Sequence, residues 1–296
     1  MAAPSAVFIV GCPRSGTSIF FKTLAGHPDF AFTTNLTRRF APRYGLVRVA
    51  ERFGAQHRPV EAGRLWRRFR PRGRRELRAD ELTEQDRRDL SRLVQDHRRH
   101  FGRPIFLSKW PGHSLRIPWT AAGLPDARFI HVVRDGRAVA NSILRECKKA
   151  GRHWSYMGKE AWPELEAMGW PEYSGALWSR VSTTCAAALE RLPPERVHSL
   201  RYEDFVADPR RSLDAVAAFC GIEFSEQQHA SIPTLHDRNL RWRDEMTPDE
   251  QRAMLLGAAD GLTAWGYAGS PASEPLAESG DARVEGSGAP GRPPGA

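Results

Sequence analysis

No stretch of this sequence carries the ~20 consecutive apolar residues that a helix needs to cross a bilayer. The first apolar run, Ala6–Val10, lacks a basic leader and passes straight into a glycine-rich turn, so it predicts a strand rather than a signal peptide or membrane anchor. Cysteine is sparse: Cys12, Cys147, Cys185 and Cys220 lie far apart with no C-x-x-C pair. That spacing offers neither a zinc ribbon nor a disulfide framework, and it fits a reducing, cytoplasmic location. Lysine is scarce, and arginine supplies nearly all the positive charge.

What is present is ordinary globular composition, 41% apolar and 27% charged over 296 residues, enough for one sizeable core. The formal net charge of +9 favours anionic partners. Most of the excess sits between Leu36 and His100, densest from Arg64 to Arg78 (Arg67, Arg68, Arg70, Arg72, Arg74, Arg75). Two readings stand: a solvated arginine-biased insertion, or a surface lining the approach of an anionic donor or acceptor.

Hydrophobic periodicity gives the organisation. Ala6 to Gly11 reads as a strand, followed by a Pro/Ser/Gly turn and by Ile19, Phe20 and Leu24 at helical spacing. Phe30 to Thr33 reads as a second strand, and 36–100 as a mostly helical insertion broken near Pro59 and Pro71. Beyond it come strands at Ile105–Ser108 and Arg128–Val133 and a strand around Val197–Arg201. Helices are predicted over His113–Ala122, Arg137–Cys147, about Ser174–Leu192, and Ala207–Phe219. This alternation predicts an α/β fold with a P-loop-type central parallel sheet flanked by helices, one domain over 1–267. From 268 to 296, Ser, Pro, Gly, Ala and Glu dominate without hydrophobic period, predicting a disordered tail.

Gly11-Cys12-Pro13-Arg14-Ser15-Gly16-Thr17-Ser18 has the spacing of a phosphate-binding loop, G-x-x-x-x-G-x-[ST], but Thr17 stands where a nucleotide-hydrolysing loop carries lysine. The rest still makes an anion cradle of backbone N–H groups, a helix N-terminus and the hydroxyls of Ser15, Thr17 and Ser18. Arg14 supplies a cation one turn earlier.

These residues resemble the sulfotransferases that use 3'-phosphoadenosine-5'-phosphosulfate (PAPS), whose 5'-phosphosulfate loop in many bacterial and tyrosylprotein members reads PRSGTS or PRSGTT. In that family an arginine ends a strand and a serine follows eight residues later, both contacting the donor's 3'-phosphate. Here they are Arg134 and Ser142. Leu107-Ser108-Lys109-Trp110-Pro111 is similar to the family's K-x-P strand end, whose lysine faces the transferring sulfuryl group. Arg201-Tyr202-Glu203-Asp204-Phe205 with Asp208-Pro209 resembles the segment whose tyrosine lies near the adenine. Arg241 to Pro248 is similar to the C-terminal segment that closes over the donor, although it lacks the usual glycines.

The resemblance implies a donor site of Arg14, Ser15, Gly16, Thr17, Ser18, Arg134, Ser142, Tyr202 and Arg241. It further implies a transition state held by Arg14 and Lys109, transfer without a metal, and a small-molecule, carbohydrate or lipid hydroxyl as acceptor. The general base is where this sequence departs from the family. Pro111 occupies the position of the histidine used by aryl and steroid members, and Ala31-Phe32-Thr33-Thr34-Asn35 contains no glutamate where other members place one. His113 is the nearest substitute, four residues beyond Lys109. A P-loop kinase and a polyanion-binding protein are the rival readings. Thr17 and the Arg134/Ser142 pair speak against the first, and the sparse aromatics of the insertion (Phe53, Trp66, Phe69) against the second.

Overall fold

A computed structural model describes residues 3–69, 76–154 and 162–269. The tail from 270 onward and the arginines at 70, 72, 74 and 75 lie outside the described residues.

Five parallel strands, β1 (Ala6–Val10), β2 (Phe30–Phe32), β3 (Ile105–Lys109), β4 (Arg128–Val133) and β5 (Val197–Arg201), form one sheet in the order β2-β3-β1-β4-β5. β1 is central, pairing Ile9 with Lys109 on one side and with Ile130 on the other. The chain leaves β1 toward the β2/β3 side and later crosses to β4 and β5. The carboxyl end of β1 is therefore a topological switch point, where open α/β sheets place ligands.

The side-chain period of two divides the core. Val7 and Ile9 of β1 join Ile130, Val132 and Leu107 on one face, against Phe20, Phe21 and Leu24 of α1 (Thr17–Ala25). Phe8 and Val10 face the other way, with Phe106 and Phe129. Both faces are covered, as a parallel sheet requires.

The arginine-rich region is helical, as the sequence predicts: α2 (Asn35–Phe40), α3 (Tyr44–Arg52), α4 (Gly63–Arg67) and α5 (Glu84–Phe101). It is not simply a solvated appendage. Leu65, Trp66 and Phe69, with Leu90, Leu93 and Val94 of α5, are buried in the core with Phe8 and Phe106. Among the described residues, helical arginines such as Arg38, Arg48, Arg64, Arg67, Arg88 and Arg92 are exposed on the outer faces of these helices, whose inner faces complete the domain.

The single helix expected over His113–Ala122 is two elements. A 3-10 turn spans Pro111–Leu115 and α6 spans Ile117–Gly123, separated by Arg116, the N-cap of α6, in a non-helical conformation (φ −133°), with Pro118 in the first turn of α6. Next come α7 (Gly136–Ala150), α8 (Trp170–Leu189), α9 (Tyr202–Ala207), α10 (Pro209–Cys220), α11 (Glu226–Ala230), α12 (Trp242–Glu245) and α13 (Pro248–Ala264). α8 and α13 cross backbone to backbone. A Cβ on Gly175 would lie 2.2 Å from Met254 O, and one on Gly257 would lie 2.1 Å from Glu172 O. All four cysteines are free and buried. Among the described residues no helix is long and apolar enough to cross a membrane.

Candidate active site

Residues from four strand ends converge beyond the carboxyl edge of the sheet. Gly11 to Gly16 follows β1, Lys109 ends β3, Arg134 follows β4, and Tyr202 follows β5. They surround a cleft of about 350 Å³ lined by Arg14, Gly16, Thr17, Ser18, Glu61, Lys109, Arg134, Ser142, Arg145, Arg238, Arg241 and Glu245, among others.

The loop is pinned at its entrance. Ser114 Oγ accepts from Gly11 N and donates to Gly11 O, both at 2.9 Å. At its exit Gly16 is left-handed (φ +85°), and a Cβ there would lie 2.2 Å from the Tyr202 ring. Tyr202 thus lies beneath the turn as a floor, with the Arg134 guanidinium 4.5 Å over its ring centroid. Unlike α2, α5, α11 and α13, which open with capping boxes, α1 has no side-chain cap and no acidic residue in its first turn. Its first N–H groups and its positive dipole end therefore face the cleft uncompensated. Ser15 Oγ is buried without a hydrogen-bond partner.

Two arginines flank this cradle. Arg14 is itself left-handed (φ +76°), a conformation that costs a residue with a Cβ about 1–2 kcal/mol. Its Nε donates to Ser142 Oγ at 2.8 Å, Nη2 pairs with Glu146 at 3.4 Å, and its carbonyl accepts from Arg134 Nη1 at 3.4 Å. Arg134 Nε donates to Asn239 Oδ1 at 2.8 Å. Asn239 in turn donates to Glu203, a carboxylate that also accepts from Asp135 N at 3.0 Å and Tyr267 Oη at 3.0 Å. Arg134, Arg14 and Ser142 therefore form one connected group.

On the opposite wall stands a triangle. Lys109 Nζ donates to Ser18 Oγ at 3.0 Å and to Glu61 Oε1, while Ser18 Oγ donates to Glu61 Oε1 at 2.9 Å. Burial lowers the Lys109 pKa, and Arg14 adds to that; Glu61 opposes it. Glu61 reaches this place because its segment is stapled to the end of β2. Val60 N donates to Thr33 O at 3.0 Å, and Thr33 Oγ1 donates to Val60 O at 2.7 Å.

Eight of the residues expected from the sequence line the cleft: Arg14, Gly16, Thr17, Ser18, Lys109, Arg134, Ser142 and Arg241. Ser15 and Tyr202 support it from below. Arg241 pairs with Glu245, which also accepts from Asn141 at 2.7 Å and from Arg145 at 3.2 Å. His113 lies elsewhere. Its Nε2 bonds Ser108 Oγ at 3.0 Å, and its ring packs edge-on against Trp66 (4.5 Å) and Phe8 (5.0 Å), outside the cleft lining. Burial, with Arg116 and Lys109 nearby, holds it well below the usual histidine range, so it is neutral. Sequence reasoning did not single out Glu61, Arg145 or Arg238, and it met Glu245 only as part of the segment Arg241 to Pro248. Glu61, Arg145 and Arg238 belong to no spaced motif; Pro59, which pairs with Thr34 just before Glu61, was one of the two breaks, with Pro71, in the helical pattern.

Residues 4–226 match a family model described as the sulfotransferase family. The chain is similar to omega-hydroxy-beta-dihydromenaquinone-9 sulfotransferase Stf3 of Mycobacterium bovis, 30% identical over 143 residues, which is 46% of this chain and 33% of that protein. The chain thus matches a third of that curated relative's length. Among solved structures it resembles sulfotransferase STF9 from Mycobacterium avium (TM-score 0.53, 17% identity, covering 89% of this chain and 77% of that one). It also resembles the sulfotransferase domain from the curacin biosynthetic pathway (TM-score 0.51, 18% identity, covering 90% and 99%). At these identities the structural likeness concerns the fold.

Proposed function

The chain belongs to the sulfotransferase family, and on that premise we propose that it transfers a sulfuryl group from PAPS to the hydroxyl of a small-molecule, carbohydrate or lipid acceptor. The Ser18–Lys109–Glu61 triangle facing the uncapped start of α1 carries this reading, because it brings an anion cradle, a cation and a carboxylate into one cleft.

The residues present fit such a donor. The open helix N-terminus and the partnerless Ser15 hydroxyl suit its 5'-phosphosulfate, and the Arg14/Arg134/Ser142 group suits its 3'-phosphate. Thr17 in place of a P-loop lysine leaves the loop without the cation a triphosphate requires.

In the transfer step the acceptor oxygen forms a bond to sulfur while the bond from sulfur to the 5'-phosphate oxygen breaks, and 3'-phosphoadenosine-5'-phosphate (PAP) leaves. Lys109 offsets negative charge on the peripheral and leaving oxygens, as preorganised donors do in water-poor sites. Glu61 takes the acceptor's proton, in place of the buried, neutral His113. Trp154 on the cleft lining supplies an apolar surface beside the polar centre, and a lipid hydroxyl is the acceptor named for one relative.

Calorimetry with PAP against ADP and ATP, followed by sulfation with radiolabelled PAPS over a panel of hydroxyl acceptors, tests the proposal. Preference for PAP and label in an acceptor are expected. Equal binding of ADP with no label transferred sinks it.

A further inference from the structure

A second cluster of chemistry-bearing side chains lies outside the cleft lining. Glu51 at the end of α3, His57 in the segment leading to Glu61, and His100 at the end of α5 present one ligand atom each, all within 4.8 Å of one another. His57 Nε2 is 2.6 Å and His100 Nε2 is 2.9 Å from the same oxygen, Glu51 Oε1.

The hydrogen bonds around the cluster explain why two imidazoles share one oxygen. Thr34 Oγ1 accepts from Thr37 N at 3.1 Å and lies 3.1 Å from His57 Nδ1, so it can hold a proton carried on that nitrogen. In the tautomer with its ring proton on Nδ1, His57 turns an Nε2 lone pair toward Glu51 Oε1. Two acceptors at that separation need a cation between them, either a metal ion or a second ring proton. A hydroxyl that fixes the outer ring nitrogen is the arrangement that orients metal-bound histidines. The Nδ1 of His100 is buried without a partner. An apolar ring would pack there without that defect, so the position is explained by what its Nε2 meets.

We propose that Glu51, His57 and His100 form a site for one divalent transition-metal ion of the zinc class, bound outside the transfer cleft. Two neutral imidazoles and one carboxylate are the donors such an ion takes, whereas magnesium and calcium prefer oxygen alone. The fourth position is open to water. Metal–ligand distances of about 2.0–2.2 Å set tetrahedral donor atoms about 3.3–3.6 Å apart, so the two nitrogens, now 2.6 and 2.9 Å from Glu51 Oε1, must draw back by roughly half an ångström to one ångström to admit the ion.

The ion joins three pieces otherwise linked through backbone and side-chain hydrogen bonds: α3, α5 and the segment 57–61. That segment is already held to the end of β2 by Asn35 N to Arg58 O at 3.1 Å and by Val60 N to Thr33 O at 3.0 Å. Glu61 lies four residues beyond His57, so the metal is a clip on the strand of chain that carries the carboxylate of the cleft. The expectation of metal-free chemistry concerned the transfer step and is a separate matter.

The test is zinc titration of the full chain, stripped with chelator and free of any histidine tag, against a competing chromophoric chelator. Cobalt(II) serves as a spectroscopic probe in parallel. One equivalent is expected to bind. His57→Gln and His100→Gln are each expected to weaken binding at least tenfold, and the double variant to abolish the stoichiometric phase. Cobalt(II) should give the intense visible bands of a four-coordinate ion. Far-UV circular dichroism checks that the variants are folded, and His153→Gln serves as a control that keeps full binding. Wild-type binding no stronger than that of a folded double variant, or a cobalt spectrum like that of the hydrated ion, overturns the proposal. Neither readout depends on sulfuryl transfer.

Discussion

Lys109 and Glu61 pair directly across 48 positions of chain, with the Ser18 hydroxyl bonded to both. The pair opposes the loss of Lys109's proton that burial favours. It also places a carboxylate beside the helix start that reads as the sulfuryl site.

Glu61→Gln keeps the side chain's shape and removes its basicity. Turnover with radiolabelled PAPS should fall roughly 100- to 10,000-fold, the usual worth of a positioned general base, with PAP affinity retained in calorimetry. His113→Gln should leave turnover within a small factor. The reverse ranking would return the base to His113.

Arg134 links the candidate 3'-phosphate group to the loop through the Arg14 carbonyl and stacks on Tyr202. Arg134→Ala should weaken PAP by about 10- to 100-fold, the size of a charged hydrogen bond worth ~1.5–3 kcal/mol. AMP, which lacks the 3'-phosphate, should lose far less. A uniform loss for both nucleotides would assign Arg134 to loop structure instead.

Gly16 and Gly102 are both left-handed, but only Gly16 faces an obstacle. Its Cβ would meet the Tyr202 ring at 2.2 Å, while nothing lies within 4 Å of one on Gly102. Gly102→Ala should cost about 1 kcal/mol for the backbone alone. Gly16→Ala should cost measurably more and also abolish PAP binding. Urea midpoints of the two variants make the comparison.

Burial lowers the pKa of His97 and of His131 to about 4, and holds His113 well below 6.5. Above pH ~6.5 these rings are neutral in both the folded and the unfolded chain. As pH falls below that value the unfolded chain takes up protons that the folded chain refuses. Stability should therefore drop by about 1.4 kcal/mol per pH unit for each ring, levelling off for His97 and His131 only near pH 4. Urea denaturation from pH 7 to 5 should show that slope, and His131→Gln should reduce it by one ring's share.

The sheet, the loop and Arg134 were legible because each site residue follows a strand whose apolar run announces itself. The strand ends then stand side by side whatever the length of the crossovers. Glu61 was not legible. It reaches the cleft through the pairing of Thr33 with Val60, and no local pattern records which loop will pair with a strand end. His113 shows the converse. Four residues from Lys109 in sequence, it turns on a 3-10 element to the opposite face of the sheet, where Phe8 and Trp66 enclose it.

The backbone contact of Gly175 with Met254 and of Gly257 with Glu172 fuses the C-terminal helix to α8, while Asn239 and Tyr267 reach back to Glu203 beside Arg134. The stretch recognised by the family model, ending at residue 226, is therefore shorter than the cooperative unit. Amide protons of 174–182 and 252–262 should exchange with a common opening free energy. A chain cut at residue 226 would retain the loop, the Lys109 strand end, the Arg134/Ser142 pair and Tyr202 while losing the Asn239 side chain that Arg134 bonds.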